Sequence, residues 1–223
     1  MKFFIIRHAE DSKKYIGGHS KISLTKKGRL QSIELRDFII AHNNEFNIGE
    51  IISSDLPRAI QTVFPLAQKL HLDIKGNKLF RALDWGAING LTVRQAMKQY
   101  PNFYLSNLEP NEAFPGGGES PNQFYNRVIQ SWKYIHENYA QGDKNVLICT
   151  HGQQFNILLS LFHKTPWNYK TDYRVFHPCL IWEFDTDTKK MRPIMPLKEY
   201  QTPKKTPRRV FHKACKWIKQ LFS

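Results

Sequence analysis

Cysteine is scarce in this chain of 223 residues, and long apolar runs are missing. The three cysteines, Cys149, Cys179 and Cys215, lie far apart and form no C-x-x-C pair. The sequence therefore predicts neither a disulfide framework nor a zinc knuckle, and reduced thiols are typical of a cytoplasmic protein. No stretch reaches the ~18 apolar residues of a membrane span, and the four apolar residues before Arg7 are too few for a signal peptide. We expect neither secretion nor a transmembrane helix.

Acidic residues are also few, since 19 Asp and Glu face 33 Lys and Arg and the formal net charge is +14. The excess is uneven, because residues 201–223 contain seven Lys and Arg residues and no acidic residue. Hydrophobic residues make up 41% of the chain, which is enough for a sizeable core. We therefore predict one globular domain over residues 1–200 and a separate basic tail over residues 201–223.

Short apolar runs alternate with amphipathic stretches along residues 1–200. We predict five strands, at residues 3–6, 50–53, 78–83, 145–149 and 180–184. We predict five helices, at residues 26–41, 58–70, 93–100, 121–139 and 154–162. Several strands are apolar at consecutive positions, which indicates burial on both faces. The pattern predicts a three-layer α/β/α domain with a mostly parallel central sheet.

Start signals precede two of the helices. Ser120 and Gln123 have the spacing of a capping box. Asp55 and Pro57 stand before Arg58 in a similar way, so we interpret Asp55 as a helix cap rather than as a catalytic acid.

Polar residues follow the first four predicted strands. They are Arg7 and His8, then Asp55 and Arg58, then Asp84, and lastly Thr150, His151 and Gly152. In an open, mostly parallel sheet, ligands bind beyond the carboxyl ends of the strands. We therefore expect two imidazoles, two guanidiniums and a carboxylate to meet at one edge of the sheet.

This set of groups suits phosphoryl transfer. Arginine forks bind phosphate oxygens two at a time, and they stabilise the charge that spreads over a loose transition state. Two neighbouring arginines disfavour protonation of an imidazole, so one histidine keeps a lone pair with which to attack phosphorus. A carboxylic acid is still needed to protonate the departing alkoxide.

Four sequence patches give the chain a family resemblance. They are residues 4–10 (FIIRHAE) with 24–28 (LTKKG) behind them, 53–62 (SSDLPRAIQT), 117–120 (GGES) and 146–152 (VLICTHG). In these patches and their order the chain resembles the histidine phosphatase superfamily, the group that includes the cofactor-dependent phosphoglycerate mutases. The resemblance implies that superfamily's fold and a histidine phosphatase-like catalytic domain over residues 1–200.

The resemblance also implies roles for individual residues. His8 would be the phosphorylated nucleophile, and the phosphate would be held by Arg7, Arg58 and His151, with the backbone at Gly152 closing the pocket. His151 beside a bound phosphate is expected to favour its imidazolium form. No cofactor is predicted. No metal site is predicted either, because His8 and His151 lack a third ligand at a suitable spacing and the other seven histidines form no cluster.

The departure from the family pattern concerns the acid. The superfamily usually has a glutamate four residues before a glycine that Gly86 matches, and this chain has Ala82 there. Asp84 is the nearest carboxylate and our predicted catalytic acid, with a turn-forming role as the alternative. Glu119 is interpreted as a structural residue.

These observations predict a metal-independent phosphomonoesterase that works through a phosphohistidine on His8 and acts on a small phosphorylated substrate. Hydrolysis is favoured over mutase activity, because residues 90–116 form a short segment with only Arg94 and Lys98 to hold a second phosphate. Four aromatic residues of that segment are candidates for a substrate wall or for surface packing: Tyr100, Phe103, Tyr104 and Phe114. The alternatives are a phosphoglycerate-type mutase and a catalytically inactive phosphate-binding or scaffolding module.

The tail consists of a linker with prolines, residues 201–207, and a basic amphipathic helix over residues 208–222. A basic helix with Trp and Phe on its apolar face is attracted to anionic membrane surfaces. Binding to such a membrane or to a protein partner, docking on the chain's own domain, and disorder are the three alternatives. Nucleic acid is not favoured, because no recognition motif accompanies the charge. The expected location is the cytoplasm, with peripheral attachment to a membrane through residues 208–222 as one alternative.

Overall fold

A six-stranded sheet lies at the centre of the computed structural model, which describes residues 1–171 and 177–194. The strands are β1 (Lys2–Arg7), β2 (Ile48–Ser53), β3 (Ile74–Gly76), β4 (Asn145–Thr150), β5 (Ile181–Asp185) and β6 (Met191–Ile194). Their order across the sheet is β3-β2-β4-β1-β5-β6. The first four run parallel, whereas β5 pairs antiparallel with β1 and β6 antiparallel with β5. The predicted mostly parallel sheet is confirmed.

Helices cover both faces of this sheet. They are α1 (Lys26–Ala41), α2 (Asn43–Phe46), α3 (Pro57–Leu70), α4 (Val93–Gln99), α5 (Pro121–Tyr139) and α6 (Gly152–Phe162). Alternate residues of β1 enter two separate cores: Phe3 and Ile5 pack with residues of α5 and α6, and Phe4 and Ile6 pack with residues of α1 and α3. Each such buried side chain contributes about 1.5–3 kcal/mol to stability. The three-layer α/β/α architecture is therefore confirmed.

The prediction of a strand over residues 78–83 is wrong. Lys78–Phe80 form a turn of 3-10 helix, and the short β3 takes the edge position beside β2. The carbonyls of residues 79, 80, 81 and 82 accept hydrogen bonds from the side chains of Gln154, Thr150 and Arg127. Backbone carbonyls that side chains already satisfy do not need a neighbouring strand. The segment therefore passes the carboxyl ends of the strands as a loop.

The two helix start signals have different outcomes. Ser120 and Gln123 form the predicted capping box at α5. The prediction that Asp55 caps a helix is wrong, because the cap position of α3 is Leu56 and no side chain bonds there. Asp55 instead forms two hydrogen bonds with Arg81, at 2.5 and 2.6 Å, which hold the pKa of Asp55 below its usual value. That ion pair ties the end of β2 to the loop.

The predicted tail, residues 201–223, lies outside the described residues, so the domain boundary at residue 200 stays a prediction.

The hairpin of β5 and β6 corresponds to the apolar run predicted at residues 180–184 and the strand that returns beside it. In the part of the chain that the structure describes, no helix combines the length and apolar character needed to span a bilayer.

Candidate active site

Three neighbouring strands end level at one edge of the sheet. β2, β4 and β1 lie side by side and in register at their carboxyl ends. The residues that directly follow them are Ser54, His151 and His8, respectively. Because α3 and α6 begin close behind β2 and β4, the positive ends of two helix dipoles lie at the same edge. This edge therefore combines histidines with groups that favour an anion.

The rings of His8 and His151 are close neighbours, with 4.9 Å between their centroids. Both residues are buried, with 4% and 3% of their surfaces exposed. The Nδ1 atom of His8 lies 2.7 Å from the carbonyl oxygen of Ala9. Since a carbonyl only accepts, Nδ1 carries the proton and donates it. In the neutral ring, Nε2 of His8 therefore holds the lone pair.

The surroundings favour the neutral form of both imidazoles. Burial lowers the pKa of His8 well below 6.5, and the positive charges of Arg7 and Arg58 lower that pKa further. Burial is also the largest cause of the lowered pKa of His151, followed by the charge of Arg58. An uncharged imidazole between cationic groups is the form of histidine that attacks an electrophile.

Two partners orient His151. Its Nδ1 lies 3.3 Å from Nη2 of Arg58, and because a guanidinium only donates, Nδ1 accepts. The proton is therefore on Nε2, which donates to Oγ of Ser54 at 2.9 Å. The negative charge of a phosphoryl group would act in the opposite direction and favour the imidazolium form that the sequence predicts. Ser54 also directly follows a strand, but the sequence analysis assigned it no role in the site.

Arg58 lies in the first turn of α3, and only 1% of its surface is exposed. Its Nη2 donates to the carbonyl of Gly18 at 2.7 Å, and its Nη1 donates to the carbonyl of Ser20 at 3.3 Å. Its Nε is 3.3 Å from the carboxylate of Asp11. Burial lowers the pKa of Arg58 to about 10, so the group remains charged at neutral pH. These partners offset the unfavourable free energy of a cation at a helix N-terminus. They lie in an irregular loop, which has no periodic sequence pattern from which the contacts could be predicted.

Arg7 lies against the start of α6. A Cβ atom added to Gly152 would lie 3.7 Å from both Cδ and Nε of Arg7, so the helix backbone and the arginine side chain are in close contact. The charge of Arg7 also lowers the pKa of His8 and of His151. The structure therefore brings Arg7, Gly152 and both histidines to one edge of the sheet, together with Arg58.

Asp84 lies in a neighbouring group of contacts. Its Oδ1 accepts from the amide of Gly86 at 2.9 Å and from Nδ2 of Asn89 at 2.5 Å. Its Oδ2 lies 3.0 Å from Nδ1 of His19. The first two contacts are typical of a turn-forming aspartate. His19 is a partner that the sequence analysis did not predict.

Glu119 and Arg127 hold the loop that carries Asp84. Arg127 donates to the two carboxylate oxygens of Glu119 at 2.5 and 2.7 Å and to three carbonyls of residues 79–82. Glu119 also accepts from the amide of Asp84 at 2.9 Å. The structural interpretation of Glu119 agrees with these contacts.

Replacing Glu119 by alanine is expected to lower the free energy of unfolding by about 3–5 kcal/mol, because Arg127 would lose its largely buried counter-ion. Urea denaturation measures the change. Glu137→Ala is the matched control, since Glu137 pairs with Lys133 on the exposed face of α5 and should change stability by less than about 1 kcal/mol. Equal losses in the two variants would contradict the role assigned to Glu119.

Two of the four predicted aromatic residues belong to the core. Phe103 and Phe114 are 6% and 1% exposed and pack against the ring of Trp85. Tyr104 is 37% exposed. The packing alternative therefore holds for Phe103 and Phe114, because buried rings do not line a substrate wall.

A surface cavity of about 420 Å³ lies elsewhere, at the amino ends of the parallel strands. Its lining includes Met1, Glu50, Lys75 and Lys144, and none of the described residues that line it is a histidine or an arginine. The convergence of imidazoles and guanidiniums therefore assigns the candidate active site to the carboxyl edge. Within residues 1–171 and 177–194, no group of three or more His, Cys, Asp or Glu side chains is arranged to hold a metal ion.

Stability is expected to fall as the pH drops below 6.5, because His8 and His151 have lowered pKa values in the folded chain. In the unfolded chain these imidazoles would bind protons near pH 6.5, so unfolding takes up protons in the range between 6.5 and the folded pKa values. Each group contributes a slope of about 1.4 kcal/mol per pH unit in that range, and none above it.

Urea denaturation of the wild type and of His8→Gln at about pH 7.5 and about pH 5 measures this slope. The variant should lose about 1–2 kcal/mol less than the wild type between these pH values, because glutamine does not titrate. Parallel losses would contradict a lowered pKa of His8.

Residues 3–194 match the family model of the histidine phosphatase superfamily, branch 1. The chain belongs to this superfamily. The predicted family and the predicted enzyme type, a hydrolase of the histidine phosphatase type, are thereby confirmed.

Curated relatives and a solved structure agree with this membership. The chain is 26% identical over 159 residues to the uncharacterized phosphatase PhoE of Bacillus subtilis (strain 168), which covers 70% of this chain and 74% of that protein. It is 27% identical over 165 residues to the probable phosphoglycerate mutase GpmB of Shigella dysenteriae serotype 1, with coverage of 72% and 74%. The complex of mycobacterial glucosyl-3-phosphoglycerate phosphatase with inorganic phosphate has a TM-score of 0.67 at 20% identity, covering 87% of this chain and 95% of that chain. At this identity the likeness shows the shared fold.

Proposed function

We propose that this histidine phosphatase is a metal-independent phosphomonoesterase that transfers the phosphoryl group of a small substrate to Nε2 of His8 and then to water. The observation that carries the proposal is the orientation of the His8 ring. The Ala9 carbonyl holds the Nδ1 proton, so the lone pair lies on Nε2 beside His151 and within reach of the charges of Arg7 and Arg58. The relative that is named a phosphatase and the similar structure that holds inorganic phosphate support this assignment.

In the first step, Nε2 of His8 attacks phosphorus, a P–N bond forms, and the P–O bond to the leaving group breaks. Arg7 and Arg58 stabilise the negative charge on the three remaining phosphoryl oxygens. The backbone at Gly152 adds the positive end of the α6 dipole. The phosphoryl charge also raises the proton affinity of His151.

Asp84 is the proposed donor of the proton that the leaving oxygen takes up. Ala82, at the position where the superfamily usually has glutamate, has no proton to give. Asp84 lies two residues further along the same loop, and 23% of its side chain is exposed, so a substrate has access to it. In the second step, a P–O bond to water forms, the P–N bond to Nε2 of His8 breaks, and the proton that the water loses returns to Asp84.

Water is the proposed acceptor because residues 90–116 offer little to hold a second phosphate group. Arg94 and Lys98, the cations of residues 90–116, both lie on the exposed surface of α4. A mutase must keep its phosphorylated product bound while the phosphoryl group returns to another position of it. Two exposed side chains on one short helix provide weak binding for that purpose.

Rapid quenching of the enzyme with 4-nitrophenyl phosphate in excess chelator tests the proposal. We expect a burst of nitrophenolate and an acid-labile phosphoryl group on the peptide that contains His8. Turnover that stops in chelator would contradict metal independence. A dependence on a bisphosphate primer would favour the mutase, and the absence of both phosphoenzyme and turnover would favour the inactive module.

A further inference from the structure

The contacts of His19 determine where its protons are. Its Nε2 lies 3.0 Å from the carbonyl oxygen of Ala82. A carbonyl only accepts, so Nε2 carries a proton. Its Nδ1 lies 3.0 Å from Oδ2 of Asp84. Two bare lone pairs at that distance would repel, so one proton lies between Nδ1 and Oδ2.

The other oxygen of Asp84 does not compete for this proton. Oδ1 already accepts from the Gly86 amide and from Asn89 Nδ2. The pair is therefore either an imidazolium with a carboxylate or an imidazole with a carboxylic acid. In both forms one exchangeable proton lies between Nδ1 and Oδ2. Burial lowers the pKa of His19, while the Asp84 carboxylate acts in the opposite sense, so the imidazole releases its proton more readily than it would in water.

The pair lies beside the phosphate-binding cations of the proposed site. The residues on either side of His19, Gly18 and Ser20, are those whose carbonyls accept from Arg58. Both members of the pair are accessible, since 21% of the His19 side chain and 23% of the Asp84 side chain are exposed. We therefore expect a substrate whose phosphoryl group contacts Arg58 to direct its leaving group towards this pair.

We infer that His19 and Asp84 act as one proton-holding pair, in which Asp84 gives the proton to the leaving oxygen and His19 positions Asp84 and shares its proton. The inference rests on the proposed phosphatase function and adds a residue to it. In the first step the leaving oxygen takes the shared proton, which leaves an Asp84 carboxylate and a neutral His19 protonated on Nε2. When water attacks the phosphohistidine, the proton that the water loses returns to the space between Oδ2 and Nδ1.

Other charged groups around His19 set the pH range of this pair. The carboxylates of Asp84 and Glu119 raise the pKa of His19, and the guanidiniums of Arg127 and Arg81 lower it. With all four groups unchanged, removal of the imidazole should move the basic limb of the pH profile for esters with poor leaving groups, because the imidazole that shares the proton is gone.

The test compares two phosphate monoesters, 4-nitrophenyl phosphate and a simple alkyl phosphate, in three variants. His19→Gln keeps an N–H donor for the Ala82 carbonyl and has no atom that replaces Nδ1, whereas Asp84→Asn removes the acid itself. We expect each variant to lose about 10²–10³-fold in kcat/KM on the alkyl ester and less than about 5-fold on the nitrophenyl ester, because a good leaving group needs little protonation. The double variant should lose no more than Asp84→Asn alone, since two residues of one unit are not additive.

His42→Gln is the matched control, because His42 is exposed at the end of α1 and should leave both substrates unaffected. Equal losses on the two esters, or an unchanged alkyl rate, would overturn the role of the pair. The nitrophenyl rate shows in the same experiment that each variant is folded. If the wild type forms no phosphoenzyme on His8 with the nitrophenyl ester, the proposed function itself fails, whatever His19 does.

Nitrogen NMR of the wild-type enzyme labelled in histidine gives a readout that needs no variant. The expected result is a protonated Nε2 and a strongly hydrogen-bonded Nδ1 in His19. An Nδ1 that carries neither a proton nor a hydrogen bond would overturn the inference.

Discussion

Replacing His8 by alanine is expected to lower kcat/KM for 4-nitrophenyl phosphate by about 10⁴-fold or more, because the reaction loses its nucleophile. The loss should be as large for the nitrophenyl ester as for an alkyl ester, since the attacking group is needed whatever the leaving group. Steady-state release of nitrophenolate measures it. This result distinguishes the role of His8 from that of the His19–Asp84 pair, because removal of the pair should leave the rate on the nitrophenyl ester nearly unchanged.

The His8→Ala variant leaves a space where the ring was, so added imidazole should restore part of the activity by attacking phosphorus in its place. Restoration would indicate that the rest of the site is intact. An activity within about tenfold of the wild type would contradict the nucleophilic role of His8, since loss of the attacking group removes the bond-forming step itself.

Replacing Arg58 by methionine is expected to lower kcat/KM by about 10³-fold on every phosphate monoester, because the transferring group loses a preorganised cation. The change should appear in KM as well as in kcat, since the guanidinium contacts the phosphate in the ground state and in the transition state. The pKa of His8 should also rise, because one of the two charges that lower it is gone. The acid limb of the pH profile should therefore move to higher pH.

Arg58→Lys tests whether charge alone is sufficient. Lysine keeps the cation, but its donors lie on a single nitrogen and do not reproduce the planar fork with which Arg58 reaches Gly18 and Ser20, so we expect an intermediate loss of about 10²-fold. Full activity in the lysine variant would mean that the fork geometry is unimportant. Full activity in the methionine variant would contradict a role of Arg58 in phosphate binding.

The central prediction from the sequence, that His8, His151 and Arg58 lie together, depends on a rule about topology rather than on detail. Apolar runs that alternate with helices predict a parallel sheet, and the carboxyl ends of parallel strands meet at one edge. Knowledge of side-chain contacts is not needed for that step. The register of β1, β2 and β4 then brings the three residues side by side.

The errors at residues 78–83 and at Asp55 have one common cause. An apolar run with alternating polar residues resembles a strand, but the carbonyls of this run are satisfied by Gln154, Thr150 and Arg127, which are remote in sequence. Arg81 of the same run then forms an ion pair with Asp55, although the sequence pattern around Asp55 predicts that it caps α3. Partners that come from distant elements cannot be found by local propensity.

The contact between His19 and Asp84 could not be predicted from the sequence for a similar reason. Asp84 was a candidate from its distance to Gly86, but nothing in the loop of residues 11–20 indicates that His19 lies against it. Asn89 connects the two segments, since its side-chain oxygen accepts from the amides of His19 and Trp85. The tail of residues 201–223 and its binding to a membrane or protein partner stay predictions.

Two of the contacts that hold Arg58 are with main-chain oxygens, those of Gly18 and Ser20, and these two do not depend on which side chains the residues carry. A peptide carbonyl is the same whatever residue bears it. Enzymes that share this arrangement can therefore exchange the side chains of residues 12–16 over evolution and acquire new substrates, while these two main-chain contacts with Arg58 are inherited unchanged.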